Sequence, residues 1–96
     1  MDIYMIEIQY RIQKNWSFNE QLAGGRTDLE AWPAIKIMPN GEIKDIWFDK
    51  RSGNSYFDEQ AKKAILKSDP LPPLPKGYWR SYFEVGFHFT ASGLSQ

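Results

Sequence analysis

Cysteine is absent from the 96 residues. That excludes a disulfide scaffold, thiol catalysis and cysteine-based zinc sites, although it leaves the compartment open. Charge of one sign is also missing. Twelve Lys and Arg balance twelve Asp and Glu, so the formal net charge is zero. Without a positive field there is nothing to gather phosphates, which argues against a dedicated nucleic-acid binder and against a polybasic membrane anchor. No apolar run approaches the roughly 20 residues that span a bilayer, and no signal peptide is visible. Histidine occurs once, as His88. The hydrophobic residues that are present, 42% of the chain with 16% aromatic, are enough to bury one modest core, so wholesale disorder is excluded. The length fits one domain by the usual guide of about 100–200 residues. The abrupt opening at Asp2-Ile3-Tyr4 reads as a domain cut from a longer protein.

The first segment, residues 3–16, supports two readings. Ile6, Ile8, Tyr10 and Ile12 alternate as a strand would, whereas Met5, Ile8, Ile12 and Trp16 share a helix face. The polar stretch from Ser17 to Asp28, with Gly24-Gly25, reads as a loop. Ile35 to Met38 and Ile43 to Phe48 carry β-formers. Between them Pro39-Asn40-Gly41 is a turn signal, so residues 33–49 are expected to form a β-hairpin. Residues 55–68 form a helix: Ser55 is placed to cap it, with Asp58 in the capping-box position. Phe57, Ala61, Ala64 and Ile65 make its apolar face. Asp58–Lys62 and Glu59–Lys63 have the spacing of helical ion pairs. Asp69-Pro70 stops the helix. The connector 69–77 holds Pro70-Leu71-Pro72-Pro73-Leu74-Pro75, whose prolines favour an extended course, with Leu71 and Leu74 covering a sheet edge or helix end. Residues 82–90 are the clearest strand. Phe83, Val85, Phe87 and Phe89 face one side; Tyr82, Glu84, Gly86 and His88 face the other, as on a sheet with one wet face. The tail from Ala91 is small and polar and is expected to fray.

Catalytic chemistry is hard to find. His88 has no acid beside it in sequence. There is no Gly-x-Ser-x-Gly elbow, no phosphate loop after Gly24-Gly25 and no cluster with metal-ligand spacing. Asp45 and Asp49 read as a solvated face. No catalytic residue, cofactor or metal is therefore assigned. Asn15-Trp16-Ser17 fits a glycosylation pattern too short to weigh. Lys76-Gly77-Tyr78 begins like an RNA-recognition strand, but Trp79-Arg80 breaks that pattern. The PxxP spacing in 70–75 would suit an SH3-type ligand, yet its place between a helix and a strand makes it a connector.

Taken together, Met38-Pro39-Asn40-Gly41-Glu42-Ile43, Lys50-Arg51-Ser52-Gly53-Asn54, Phe57-Asp58-Glu59-Gln60-Ala61 with Ala64-Ile65, the proline connector and the closing aromatic strand resemble the C-terminal domain of TonB/TolA-type energy transducers. The match runs from about Ile35 to Phe89. Asn15-Trp16 after the leading segment is TolA-like and turns that segment to a helix. Trp32-Pro33 departs from the family's smooth strand, so this strand is expected to begin at or after Pro33. The Tyr-Pro pair typical of TonB is also missing, which leaves the subfamily open. The resemblance implies an α+β fold of order αββαβ, with helices on one face of a three-stranded antiparallel sheet. It implies a periplasmic domain of an inner-membrane-anchored protein, driven by a proton-powered motor through preceding sequence. It implies no nucleic-acid partner, but outer-membrane or periplasmic proteins whose extended segment adds to the edge strand Tyr82, Phe83, Glu84, Val85, Gly86, Phe87, His88 and Phe89. The same edge could pair with itself in a strand-exchanged homodimer. The competing reading is a small α+β nucleic-acid binder using exposed aromatics such as Trp47 and Tyr82.

Overall fold

A computed structural model describes residues 2–95. The elements are α1 (Asp2–Lys14), a short 3-10 helix (Glu20–Ala23), β1 (Trp32–Ile37), β2 (Ile43–Lys50), α2 (Ser55–Lys67), β3 (Phe83–Gly86), β4 (His88–Thr90) and β5 (Gly93–Ser95). The principal sheet is antiparallel with spatial order β2-β1-β3, and β4 pairs with β5 in a two-stranded extension. This is the α+β arrangement that the resemblance implies.

Burial explains the layers. Tyr4, Ile8 and Ile12 recur every four residues, so one stripe of α1 is apolar and is buried. It meets Phe57, Ala61, Ala64 and Ile65 of α2 above Ile35 and Ile37 of β1. Phe57 is fully buried and takes Trp16 and Phe18 edge-on, with ring centroids 5.5 Å away in each case. The expected helix 3–16 stops at Lys14. Asn15 and Trp16 tie elements together instead. Asn15 Nδ2 donates to Ser68 Oγ at 2.9 Å, beyond the end of α2. Trp16 Nε1 donates to the Ala91 carbonyl at 3.3 Å, and its ring lies 5.1 Å from that of Phe89.

Three local expectations are corrected. The cap of α2 is Asn54, not Ser55: its side chain accepts from Phe57 N at 2.9 Å. Asp58 turns back to accept from Ser52 N at 3.0 Å and forms no ion pair with Lys62. Replacing Asn54 by Ala is expected to lower stability by about 1 kcal/mol, the usual worth of a cap, readable as a shifted urea midpoint. Second, β1 begins at Trp32, and Pro33 lies inside it. The sheet absorbs the proline at a bulge: Trp32 opposes Lys50 and Pro33 opposes Phe48, which leaves Asp49 without a facing residue. Third, the tail is not frayed at Gly93–Ser95, which forms β5 against β4.

The connector is docked rather than free. Leu71, only 2% exposed, donates its N–H to the Gly41 carbonyl at 2.8 Å, and Leu74 N donates to the Pro39 carbonyl at 3.0 Å. Asp69 Oδ1 accepts from Ile43 N at 3.0 Å. The chain after α2 therefore runs across the hairpin turn before reaching β3.

Candidate functional site: the free edge of the third strand

Residues 82–90 do not form one uninterrupted strand. Strand geometry breaks at Phe87 between β3 and β4, and the cause lies opposite. Phe87 N donates to the Pro33 carbonyl at 2.8 Å, but Pro33 has no N–H to return. The pairing nevertheless continues in one register: Ile35 faces Val85, Ala34 faces Gly86 and Ala31 faces Phe89. Phe89 N donates to the Ala31 carbonyl at 2.9 Å, and Ala31 N donates back at 3.1 Å.

That register fixes which main-chain groups are unclaimed. In an antiparallel ladder successive residues turn their N–H and C=O to opposite sides. Phe87 and Phe89 turn theirs towards β1, so Phe83 and Val85 do too. Glu84, Gly86, His88 and Thr90 turn theirs outward. His88 and Thr90 are occupied, because they oppose Ser95 and Gly93 of β5. Glu84 and Gly86, both exposed, remain open at the sheet's end. The free edge is thus shorter than the whole of 82–90. Its near end is bounded by the turn before β3, where Tyr78 Oη donates to the Tyr82 carbonyl at 3.0 Å. Its far end is bounded by β5.

Side chains frame this edge differently on its two faces. On the helix side, Phe83 lies between Tyr4 and Tyr78, edge-on to both at 6.4 and 5.7 Å. Phe83 and Val85 are half-buried, whereas Phe87 and Phe89 are buried. On the solvent side, Lys36 Nζ sits 4.3 Å from the centre of the Tyr82 ring. His88 stacks on Trp32 at 4.4 Å, and its Nε2 lies 2.9 Å from Glu30 Oε1. The acid that no neighbouring position offers His88 comes from 58 residues away. A hollow of about 260 Å³ opens at the head of β3 between Tyr78, Arg80, Tyr82, Phe83 and Glu84. Beside it stands Trp79, 81% exposed, with the Arg80 guanidinium 4.7 Å from its ring.

Gly86 leaves the strand's outer surface bare. A Cβ there would meet nothing closer than Asp49 Oδ2 at 3.8 Å, an ordinary contact. The domain's own packing therefore has no need of glycine at this position.

Tyr4 supports β3 from behind. Burial, and secondarily the charge of Glu7, push its phenol up to about 12, while its Oη donates to the Pro72 carbonyl at 2.8 Å. A folded pKa above the unfolded value near 10 means the neutral ring's contribution is complete below pH 10. It is lost as pH rises through 12. Stability is expected to fall across that window, and the fall should be smaller in Tyr4→Phe, as read by urea titrations at pH 9, 10, 11 and 12.

Among the described residues no group of His, Asp or Glu is placed to hold a metal ion, and no helix is long and apolar enough to cross a membrane. The arrangement offers hydrogen-bonding edges and half-covered aromatics rather than converging catalytic groups.

Comparison with known proteins identifies the family and the fold. The family model described as TonB C terminal matches residues 1–89. Curated protein sequences give no significant match. Among solved structures, the TonB C-terminal domain of Helicobacter pylori is similar over 100% of this chain and 85% of its own, with 17% identity and a TM-score of 0.76. TolAIII bound to a peptide derived from the N-terminus of TolB is similar over 86% of this chain and 69% of its own, at 19% identity and a TM-score of 0.64. The HasB C-terminal domain is similar over 93% and 69%, at 13% identity and a TM-score of 0.58. At such identities these likenesses show the fold.

Proposed function

Because the chain belongs to the TonB C-terminal family, whose members are non-enzymatic energy-transducer domains of the periplasm, we propose that it captures an extended segment of an outer-membrane or periplasmic partner at the free edge of β3. The observation that carries this reading is the pair Glu84 and Gly86, whose N–H and C=O groups face outward between the Tyr78–Arg80 turn and β5. A visiting strand would pair there as β5 pairs with β4. The TolAIII neighbour, named for its bound TolB peptide, supports an extended peptide as the ligand class. Upstream sequence would anchor the domain in the inner membrane and couple it to a proton-driven motor.

Magnitudes set the strength. Two residues offer four main-chain groups. At about 0.5–1.5 kcal/mol net each, pairing contributes roughly 2–6 kcal/mol. Ordering about four partner residues costs roughly 1–2 kcal/mol apiece. Main-chain pairing alone is therefore near balance. Binding must draw on side chains: the partner's residues against Phe83 and Val85 on one face, and against Tyr82, Lys36 and the hollow beside Arg80 on the other. Transient binding in the micromolar range is expected.

The test is a backbone NMR titration with a synthetic peptide from the N-terminus of TolB and with periplasmic segments of outer-membrane partners. Shifts should concentrate on Arg80–Gly86. Shifts confined to α2, sparing β3, would sink the reading.

A further inference from the structure

Gly86 and Asp49 meet on the open face of the sheet, although a whole strand lies between them. β1 separates β2 from β3, yet a Cβ on Gly86 would lie 3.8 Å from Asp49 Oδ2 and 4.0 Å from the Ala34 Cβ. We infer, on the reading that the edge of β3 captures a strand, that these two residues form a specificity subsite. It selects a partner strand with a long cationic side chain, Arg or Lys, level with Gly86.

The bulge in β2 produces the juxtaposition. Trp32 opposes Lys50 and Pro33 opposes Phe48, so Asp49 faces no residue of β1, and its carboxylate reaches across that strand to Gly86 instead. Ala34 is small, and Gly86 opposite it has no side chain, so nothing stands between the carboxylate and the open edge. One oxygen is held, because Trp47 Nε1 donates to Oδ1 at 3.2 Å. Oδ2, the oxygen nearest to Gly86, accepts no hydrogen bond from the described residues.

Reach and charge say which side chain fits. Residues level with each other on neighbouring strands share a face of the sheet, so a visitor's side chain level with Gly86 would lie on this bare floor. Its Cβ would be about 5 Å from the Gly86 position, and so at most roughly 9 Å from Asp49 Oδ2. A charge-assisted hydrogen bond of about 2.8 Å leaves roughly 6 Å for the side chain to span. Ser, Thr and Asn fall short; Arg and Lys reach. Tyrosine reaches too, but brings no charge. Two carboxylates border the edge on this face, Asp49 and Glu84, and neither is in an ion pair: among the described residues the pairs are Arg26–Asp28 and His88–Glu30. The cations of the same face are turned to rings. Lys36 Nζ lies 4.3 Å from the centre of the Tyr82 ring, and Lys50 Nζ 5.3 Å from that of Trp32. A visiting cation meets two unpaired acids, whereas a visiting acid meets like charge.

Two capped heptapeptides test this: Val-Thr-Val-Arg-Val-Thr-Val and its counterpart with Met in place of Arg. Both should shift the amides of Arg80–Gly86. The Arg peptide should bind about threefold to fivefold more tightly, the scale of an exposed ion pair. Asp49→Asn, which keeps the Oδ1 acceptor for Trp47, should bring the two affinities together, whereas Glu84→Gln should leave most of the difference. Gly86→Thr, with its fold checked by urea unfolding, should also remove the difference, because its side chain stands on the floor. If neither peptide shifts β3 at millimolar concentration, strand capture fails and the subsite with it. If both bind at β3 with equal affinity, the subsite alone is overturned. It is likewise overturned if the preference for Arg survives Asp49→Asn or Gly86→Thr, or is lost in Glu84→Gln.

Discussion

Gly41→Ala is expected to unfold most of the population at moderate urea, with a loss of about 3–5 kcal/mol. Two physical effects add. Gly41 has φ +91, a region that side-chain-bearing residues enter only with strain, of order 1–3 kcal/mol. A Cβ at this position would also coincide with the Leu71 carbonyl. That collision is with backbone, which cannot rotate aside, and overpacking of this kind typically costs another 1–3 kcal/mol. Relief would require pushing the connector off the hairpin turn, which breaks the bond from Leu71 N to the Gly41 carbonyl and uncovers Leu71. A domain of this size has about 5–14 kcal/mol in total, so the change removes a large share. Equilibrium urea unfolding followed by tryptophan fluorescence measures it. The paired control is Gly86→Ala, whose Cβ meets only ordinary contacts; its midpoint should stay close to that of the parent. A Gly41→Ala protein as stable as the parent would mean that the connector does not cross the turn as described.

Glu84→Pro is expected to cut partner binding about 10- to 100-fold while the domain stays folded. The outward N–H of Glu84 serves no internal bond, so removing it leaves the β1–β3 ladder whole, and proline is tolerated on edge strands in that orientation. A docking strand would lose a donor and leave one of its own carbonyls unpaired, at about 1–3 kcal/mol. With tenfold in affinity for each 1.4 kcal/mol, that is the stated range. The neighbouring change gives the opposite result. Val85→Pro removes an inward donor opposite Ile35, and is expected to destabilise the fold by about 3 kcal/mol or more. Isothermal titration with the peptide, beside urea unfolding of both variants, separates the two effects. If Glu84→Pro binds as the parent does, the edge of β3 is not where the partner pairs.

These two positions differ in how far they can be read from the chain alone. Asn40-Gly41 is visible as a turn because the left-handed requirement is local, carried by two adjacent residues. That Gly41 must also accommodate Leu71 is not visible, since thirty residues separate them and Leu71 lies in a proline run with no periodicity. The closing strand is legible from its alternating aromatics. Where it breaks is not. The break comes from the missing N–H of Pro33 in a different strand, and only the register brings Pro33 opposite Phe87. The missing N–H of Pro33 is felt less in β1, which continues through it at a bulge, than in the strand opposite, where Phe87 receives no bond in return.

The tail shows the same division. Ala91 to Gln96 is small and polar, with no strand pattern of its own. Gly93–Ser95 is held as β5 by outward groups of His88 and Thr90 and by Gln13 of α1, whose Oε1 accepts from Leu94 N at 2.7 Å. Ser55 and Asn54 stand side by side and both are good caps; the choice of Asn54 depended on where the loop from β2 delivered the chain.

The amino-acid sequence by itself determined α2, the turn between β1 and β2 and the alternation of the closing aromatic segment, because these rest on residue type and short-range spacing; for residues 3–16 periodicity left helix and strand open, and the resemblance to the family decided for the helix. The tertiary structure alone decided how much of the last strand stays open. A main-chain hydrogen bond carries no side-chain signature: whether Glu84 and Gly86 are free, or His88 and Thr90 taken, depends on which strand lies alongside, and that is settled only when the whole chain has packed.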